Sequence, residues 1–368
     1  MSDGETTMPA VEANPGGSPG HGRRTFGPRT QALLSNLLFT SRFIPVWIAT
    51  LLLLIVSAII APDALKTASW SYVLPYMTIL AIAGIGEMLV IMTGGIDLSI
   101  PGVMFLVGNL VLGVSHHSDS RLALAILACI GLGLIVGFSN GVFISVLRLN
   151  PLIVTLAVGQ IVLAFGVHYS RDVSFESSVP AALSSWALSK PLGISWVFWL
   201  GAMLTILVAL FLRYTAPGRR FQAVGANSRA AWMSGIHVRT HVIAAYTAAA
   251  AYSAPAAILL AAERGSIDSS FGSEYLLAPV AAVVIGGASL AGGLASVTST
   301  WVAAFALTLL TELLNVLGLS ISMQYVVFGA AILAGMIISG DRIASGLGKL
   351  LQQPRIRALF GGEQSAGS

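Results

Sequence analysis

Residues 92–99 read Met-Thr-Gly-Gly-Ile-Asp-Leu-Ser and interrupt a chain that is apolar on both sides. Each glycine costs about 1 kcal/mol against alanine in a helix interior, so the pair Gly94-Gly95 predicts a helix stop. Ser99 reads as the N-cap of a restarted helix, and Pro101 suits its first turn. Asp97 then lies beside that N-terminus, where the helix dipole favours a carboxylate. The stretch nearly recurs: residues 284–291 read Val-Ile-Gly-Gly-Ala-Ser-Leu-Ala, with Ser289 standing where Asp97 stands. A repeat of this kind suggests an internal duplication whose halves run either parallel or inverted. Two readings stay open for the paired breaks, a capped turn used twice as a close-packing joint or pivot, or interrupted segments along a substrate path.

The flanks of these breaks set the class. Of 368 residues 56% are hydrophobic and 9% charged, whereas a soluble domain carries about 25% charged residues. The chain is therefore expected to be an all-α polytopic membrane protein. Runs long enough to cross hydrocarbon lie at 43–62, 71–92, 98–115, 122–147, 151–169, 195–212, 241–262, 275–293, 296–316 and 321–339, about ten transmembrane helices, some of them glycine-interrupted. Residues 1–42 read as a largely disordered tail, 43–339 as the membrane domain and 340–368 as a C-terminal tail.

Charge orients the spans. Residues 213–241 hold Arg213, Arg219, Arg220, Arg229 and Arg239 and no acid, which makes this loop cytoplasmic by the positive-inside rule. Both basic tails belong on the same side, and six crossings before the loop with four after it satisfy that. The loops at 170–194 and 263–274 then fall outside. The formal charge of +4 resides in these flanks, which fits anionic membrane lipid and not nucleic acid. Cys129 is the sole cysteine, so no disulfide forms within the chain. His237 and His241 stand at an i, i+4 interval, but no histidine has a companion carboxylate or thiol at metal-ligand spacing, and Gly348-Lys349 lacks the glycine of a P-loop.

Two places carry chemistry beyond the breaks. Glu87 and Glu312 lie within apolar runs, where an ionised carboxylate is costly, so they should face the bundle interior, a wet cavity or another chain. With Asn109 and Asn315 they are the candidates for lining a substrate path. In residues 225–236, Gly-Ala-Asn-Ser-Arg-Ala-Ala-Trp-Met-Ser-Gly-Ile, Asn227 or Ser228 can cap a two-turn helix of about 10 Å that Gly235 stops. Trp232 and Met233 beside Ala230 and Ala231 suit insertion into a partner's groove, or a rest on lipid headgroups.

Four stretches, LVIMTGGIDLS (89–99), NPLIVTLAVGQI (150–161), GRRFQAVGANSRAAWMSGIHV (218–238) and AAVVIGGASLAGGLASV (281–297), occur in the order in which they resemble the ribose-type permease subunits of ATP-binding-cassette importers. These belong to the broader superfamily of sugar and branched-chain amino acid permeases. The resemblance implies a pore of two permease copies or paralogues in the bacterial inner membrane, a pair of cytoplasmic ATPases and an extracytoplasmic solute-binding protein. It also implies a monosaccharide-like solute moved by alternating access. ATP and Mg would be bound by the ATPase, leaving this chain with no cofactor and no catalytic residue. By the same resemblance Gly218, Arg219, Ala223, Gly225, Asn227, Arg229, Ala230, Ala231, Trp232, Met233, Ser234, Gly235 and Ile236 form the ATPase-coupling loop. Gly94, Gly95, Asp97, Leu98 and Ser99 form the first helix-break signature, and Gly286, Gly287, Ser289, Leu290, Gly292 and Gly293 the second. Pro101, Asn150 and Glu87 depart from the family pattern and leave the solute open. The alternative is a stand-alone ion-coupled transporter with Glu87 or Glu312 carrying a proton; a membrane enzyme fares worst because no nucleophile, metal cluster or carboxylate pair converges in the sequence.

Overall fold

A computed structural model describes residues 43–116, 118–171 and 178–320, together with 323, 326, 327, 329, 330, 333 and 334. Both expected tails, and most of the expected span at 321–339, lie outside the described residues. Those described form twelve α-helices and no strand: α1 Ile44–Ile60, α2 Thr67–Met92, α3 Ile100–Ser115, α4 Leu122–Ser145, α5 Pro151–Ser170, α6 Ala181–Leu188, α7 Trp196–Tyr214, α8 Ala216–Ala226, α9 Ser228–Met233, α10 Val238–Arg264, α11 Ala278–Ile285 and α12 Val297–Val316. Six helical stretches are long and apolar enough to cross a membrane, and α1 and α3 are shorter apolar helices.

Hydropathy does not distinguish core from lipid-facing helices, but packing does. The most apolar window of α2 is 89% buried, against 28%, 28% and 22% for those of α4, α5 and α7. α2 is therefore the axis of the bundle, clasped by α10 and α12. The outer helices turn Leu127, Ile135, Ile161, Phe165, Ile206 and Leu207 outward, as lipid-exposed surfaces do. Small residues bring helices together where no hydrophobic difference between side chain and lipid drives association. On α4, Gly133, Gly137 and Gly141 recur every four residues, and a Cβ on Gly137 or Gly141 would collide with the α10 backbone at Thr247 or Ile243.

The structure shortens one expected crossing. The run at 275–293 is not a continuous helix: α11 has eight residues, about 12 Å long. The segment before it, expected as an outside loop, folds back along α3, with Phe271 against Gly108 and Gly272 against Met104. Four glycines between 286 and 293 explain the truncation, and apolar composition alone conceals it. α2 and α11 both run toward the end of the bundle that carries the arginine-rich loop, and α3 and α12 both lead away from it. The two break-containing hairpins are thus parallel, which the repeated sequence left open.

Candidate functional site: a glycine joint beneath the arginine-rich hairpin

α2 stops at Met92 as expected, and Gly94 takes a left-handed φ of 83°. α11 stops at Ile285, and Gly287, Gly292 and Gly293 take φ of 90°, 96° and 83°. The two breaks touch: the Gly293 amide donates to the Met92 carbonyl at 2.9 Å. Ser289 contributes its backbone to the turn, donating to the Leu294 carbonyl at 2.9 Å and accepting from Gly292 at 3.0 Å. Leu290 is exposed at the rim of this turn.

The arginine-rich segment is more ordered than its composition suggests. Besides Trp232 and Met233 it has a second apolar face on α8, which Thr215 caps by accepting from the Gly218 amide at 3.0 Å. α8 buries Phe221 and Val224 against the bundle, and Gly218 sits so close to α7 that a Cβ would strike Leu212. Arg219 stays exposed and donates to the Tyr214 carbonyl. α9 follows with Asn227 as its cap, its Oδ1 accepting from the Ala230 amide at 2.9 Å. Gly235, at φ 78°, ends it, and the Ile236 amide returns to the Ala231 carbonyl. Ala231 is buried, whereas Trp232 and Met233 are 70% and 75% exposed. Arg229, Ala230 and Ser234 are exposed around them, and Ala223 is half-buried on α8.

Between the hairpin and the breaks lies Gly225. A Cβ placed on it would fall on the Met92 carbonyl oxygen and 2.8 Å from the Gly293 nitrogen. A Cβ on Gly292 would lie 2.9 Å from the Gly225 carbonyl, and one on Gly293 2.9 Å from the Ala226 Cα. Three separated segments therefore meet backbone to backbone, with no side chain between them. Such a joint leaves nothing compressible between α8 and the two breaks.

The first break is fixed by a buried polar network. Both Glu87 oxygens accept from the Asp97 amide at 3.2 Å. Asp97 Oδ1 accepts from the Ser99 amide at 2.9 Å and from the Ser99 hydroxyl at 2.5 Å, and Asn140 Nδ2 donates to Ser99 Oγ at 2.9 Å. Ser99 occupies the N-cap position of α3 but makes no capping bond with its side chain, because its hydroxyl is committed to Asp97. Thr155 Oγ1 reaches the Ile96 carbonyl at 3.4 Å, and the Tyr246 ring packs where a Cβ on Gly95 would be. Glu87, Asp97, Ser99, Asn140 and Tyr246 are at most 1% exposed. Leu98 is half-buried beside them. Asn140, Thr155 and Tyr246 were not singled out in the sequence, since each lies in an apolar run far from the motif it serves. Asn150, a departure from the family pattern, caps α5 by accepting from the Leu152 amide at 2.9 Å.

The four candidates for a substrate path do not come together. Glu87 sits in the network above, and Asn109 is buried on α3, donating to the Phe105 carbonyl at 2.8 Å. Glu312 and Asn315 lie at the opposite end, half-buried and exposed on α12. Other polar groups gather at that end. Tyr72 and Tyr76 stack with centroids 4.3 Å apart, and Arg264 pairs with Glu274 at 2.6 Å. The i, i+4 spacing of the two tyrosines was the signal that could have marked them. In the connection after α10, the Ser270 hydroxyl and amide hold the Asp268 carboxyl below its ordinary value.

An apolar bundle broken twice at one end, with two exposed apolar side chains on a hairpin packed against both breaks, is that of a multi-pass membrane protein. Residues 69–336 match the family described as branched-chain amino acid transport system / permease component, and the chain belongs to that family. It is 29% identical over 298 residues to the ribose import permease protein of Escherichia coli (strain K12), covering 80% of this chain and 92% of the relative. Similarity to the fructose import permease protein of Rhizobium meliloti is 29% over 306 residues, covering 80% and 84%. With the autoinducer 2 import system permease protein of Salmonella paratyphi B it is 30% over 297 residues, covering 79% and 85%. No solved structure matches the chain. As a permease component, the chain is a transport subunit and not an enzyme.

Proposed function

We propose that this chain is the membrane pathway of an ATP-driven importer for a monosaccharide or a related small polar solute. It sits in a bacterial plasma membrane with both termini and the α8–α9 hairpin in the cytoplasm, as the arginine distribution supports. A separate ATPase binds ATP and Mg and docks on α9; a solute-binding protein delivers solute on the other face, and a second copy or paralogue completes the pore. The names of the relatives support a sugar or sugar-like solute.

The observation that carries this reading is the continuity from Trp232 and Met233, exposed at the tip, through Gly225 to the two touching breaks. Large apolar side chains left in solvent on a helix of six residues are anchors for a partner. Movement imposed on them has a rigid path into the membrane domain.

The test must spare the hairpin itself. Ala231 packs inward, so a charge there would disrupt α8–α9 packing as well as any docking. Trp232→Glu with Met233→Glu changes only exposed groups. Anchors of this kind are worth about 2 kcal/mol or more, so ATPase-subunit affinity in pull-down titrations should fall by over tenfold and solute-stimulated ATPase activity should vanish. The melting temperature of the permease should not move. Unchanged stimulation would rule out docking at α9.

A further inference from the structure

At the end of the bundle opposite the joint, a cavity of about 330 Å³ lies between the first turns of α2, the end of α10 and the connection from α6 to α7. Tyr72 and Tyr76, stacked face to face, form one wall. Glu263 contributes a carboxyl and Lys190 an ammonium, Ser71 and Ser195 add polar groups, and Ala68, Pro75, Ala187 and Leu188 complete the lining. On the proposed function above, this end faces the side from which solute arrives.

We propose that this cavity is a carbohydrate subsite, holding one neutral monosaccharide before it passes into the bundle. The chemistry of the lining selects that class. A stacked tyrosine pair offers the flat, weakly negative face on which the C–H face of a sugar ring packs. Oε1 of Glu263 is buried and has no hydrogen-bond partner, so an acceptor stands ready for a hydroxyl. Pro75 has no N–H to give the Ser71 carbonyl four residues earlier, which leaves a second acceptor beside the cavity. Lys190 is within electrostatic reach of Glu263 but forms no ion pair with it among the described residues, so its ammonium supplies donors.

The same groups turn away other ligands. A quaternary ammonium would suit two tyrosines and a carboxylate but meets the Lys190 charge. An anion would suit Lys190 but meets the unpartnered Glu263 oxygen, which offers it only lone pairs. Arg264 does not neutralise Glu263, because it is committed to Glu274 at 2.6 Å. A neutral polyol uses donor and acceptor together. The volume is at the lower limit of ligand sites, which suits a single sugar ring. The Ser195 hydroxyl donates to the Ala187 carbonyl at 2.9 Å, accepts from the Val197 amide at 3.1 Å and lies beside the Glu263 carboxyl, so it adds no free donor. The binding groups are therefore Tyr72, Tyr76, Glu263, Lys190 and the Ser71 carbonyl.

The experiment is saturation-transfer NMR on the permease–ATPase complex in nanodiscs, without nucleotide or binding protein. The probes are ribose, fructose, glucose, xylose and myo-inositol at millimolar concentration, with phosphocholine as the lipid-headgroup control. At least one polyol should receive saturation at its C–H protons. Tyr76→Ala should abolish the transfer, and Glu263→Gln should weaken apparent affinity by about tenfold. Glu263→Asp should restore part of it, and each variant's melting curve shows that it is folded. No transfer to any polyol, equal transfer in Tyr76→Ala and Glu263→Gln, or transfer only to phosphocholine overturns the subsite. Where binding-protein-dependent sugar uptake persists despite such a result, the subsite alone has failed. Absence of ATP-driven uptake of any of these polyols would instead sink the importer reading.

Discussion

Gly225→Val is expected to abolish transport while leaving the helices of the bundle formed. The substituted Cβ has no space: it falls on the Met92 carbonyl oxygen and beside the Gly293 nitrogen, and both obstacles are backbone. Relief requires α8 to lift from the seam, which severs the joint between the hairpin and the two breaks. Overpacking of this kind costs about 1–3 kcal/mol where a side chain can yield, and more where only backbone can. Solute uptake in proteoliposomes should fall below one tenth of the parent value. Basal ATPase activity of the assembled complex should persist without stimulation by solute. Gly225→Ala should show an intermediate defect. Normal uptake by the valine variant would show that the breaks move independently of the hairpin.

The second large effect is expected at the buried network. Asp97→Ala removes the acceptor for both the Ser99 amide and the Ser99 hydroxyl, and Asn140 loses an ordered partner as a result. Each buried polar group left unsatisfied costs about 1–3 kcal/mol, so the loss is roughly 2–4 kcal/mol. The variant should melt several degrees below the parent in detergent and give little assembled complex. Asp97→Asn keeps an acceptor oxygen of the same size and should recover much of the stability. Recovered stability with uptake unchanged except for a shifted pH profile would mean that Asp97 carries a proton, against the structural role assigned here. Glu87→Gln likewise retains an acceptor for the Asp97 amide and should be milder than Glu87→Ala.

Both effects rest on residues whose roles were only partly legible. The glycine pairs announce helix stops, because glycine weakens a helix wherever it occurs. The cap of α9 was equally local: Asn227 followed by a short run and Gly235 can be read without knowing the fold. The partner of Glu87 was not legible, since the amide that satisfies it is ten residues away across a break, and any backbone N–H looks alike in sequence. The burial of Ala231 beside the exposed Trp232 and Met233 was hidden for a similar reason. Which face of a two-turn helix turns inward depends on α8, and α8 is recognisable mainly through Phe221 and Val224 once they are seen packed.

By itself, the sequence determined that this is a helical membrane protein, where its helices break, where its positive charge collects and to which family its motifs belong. Each of these follows from local composition, because bilayer thickness, glycine's backbone entropy and loop charge act on contiguous residues. Only the tertiary structure decided that the two hairpins run parallel, that α11 is a half-length helix, that both breaks meet Gly225, and that Glu87 and Asn109 are packed away while Tyr72, Tyr76 and Glu263 surround a cavity. Those facts depend on which backbones approach without an intervening side chain. That is a property of distant residues brought together, and no window along the chain contains it.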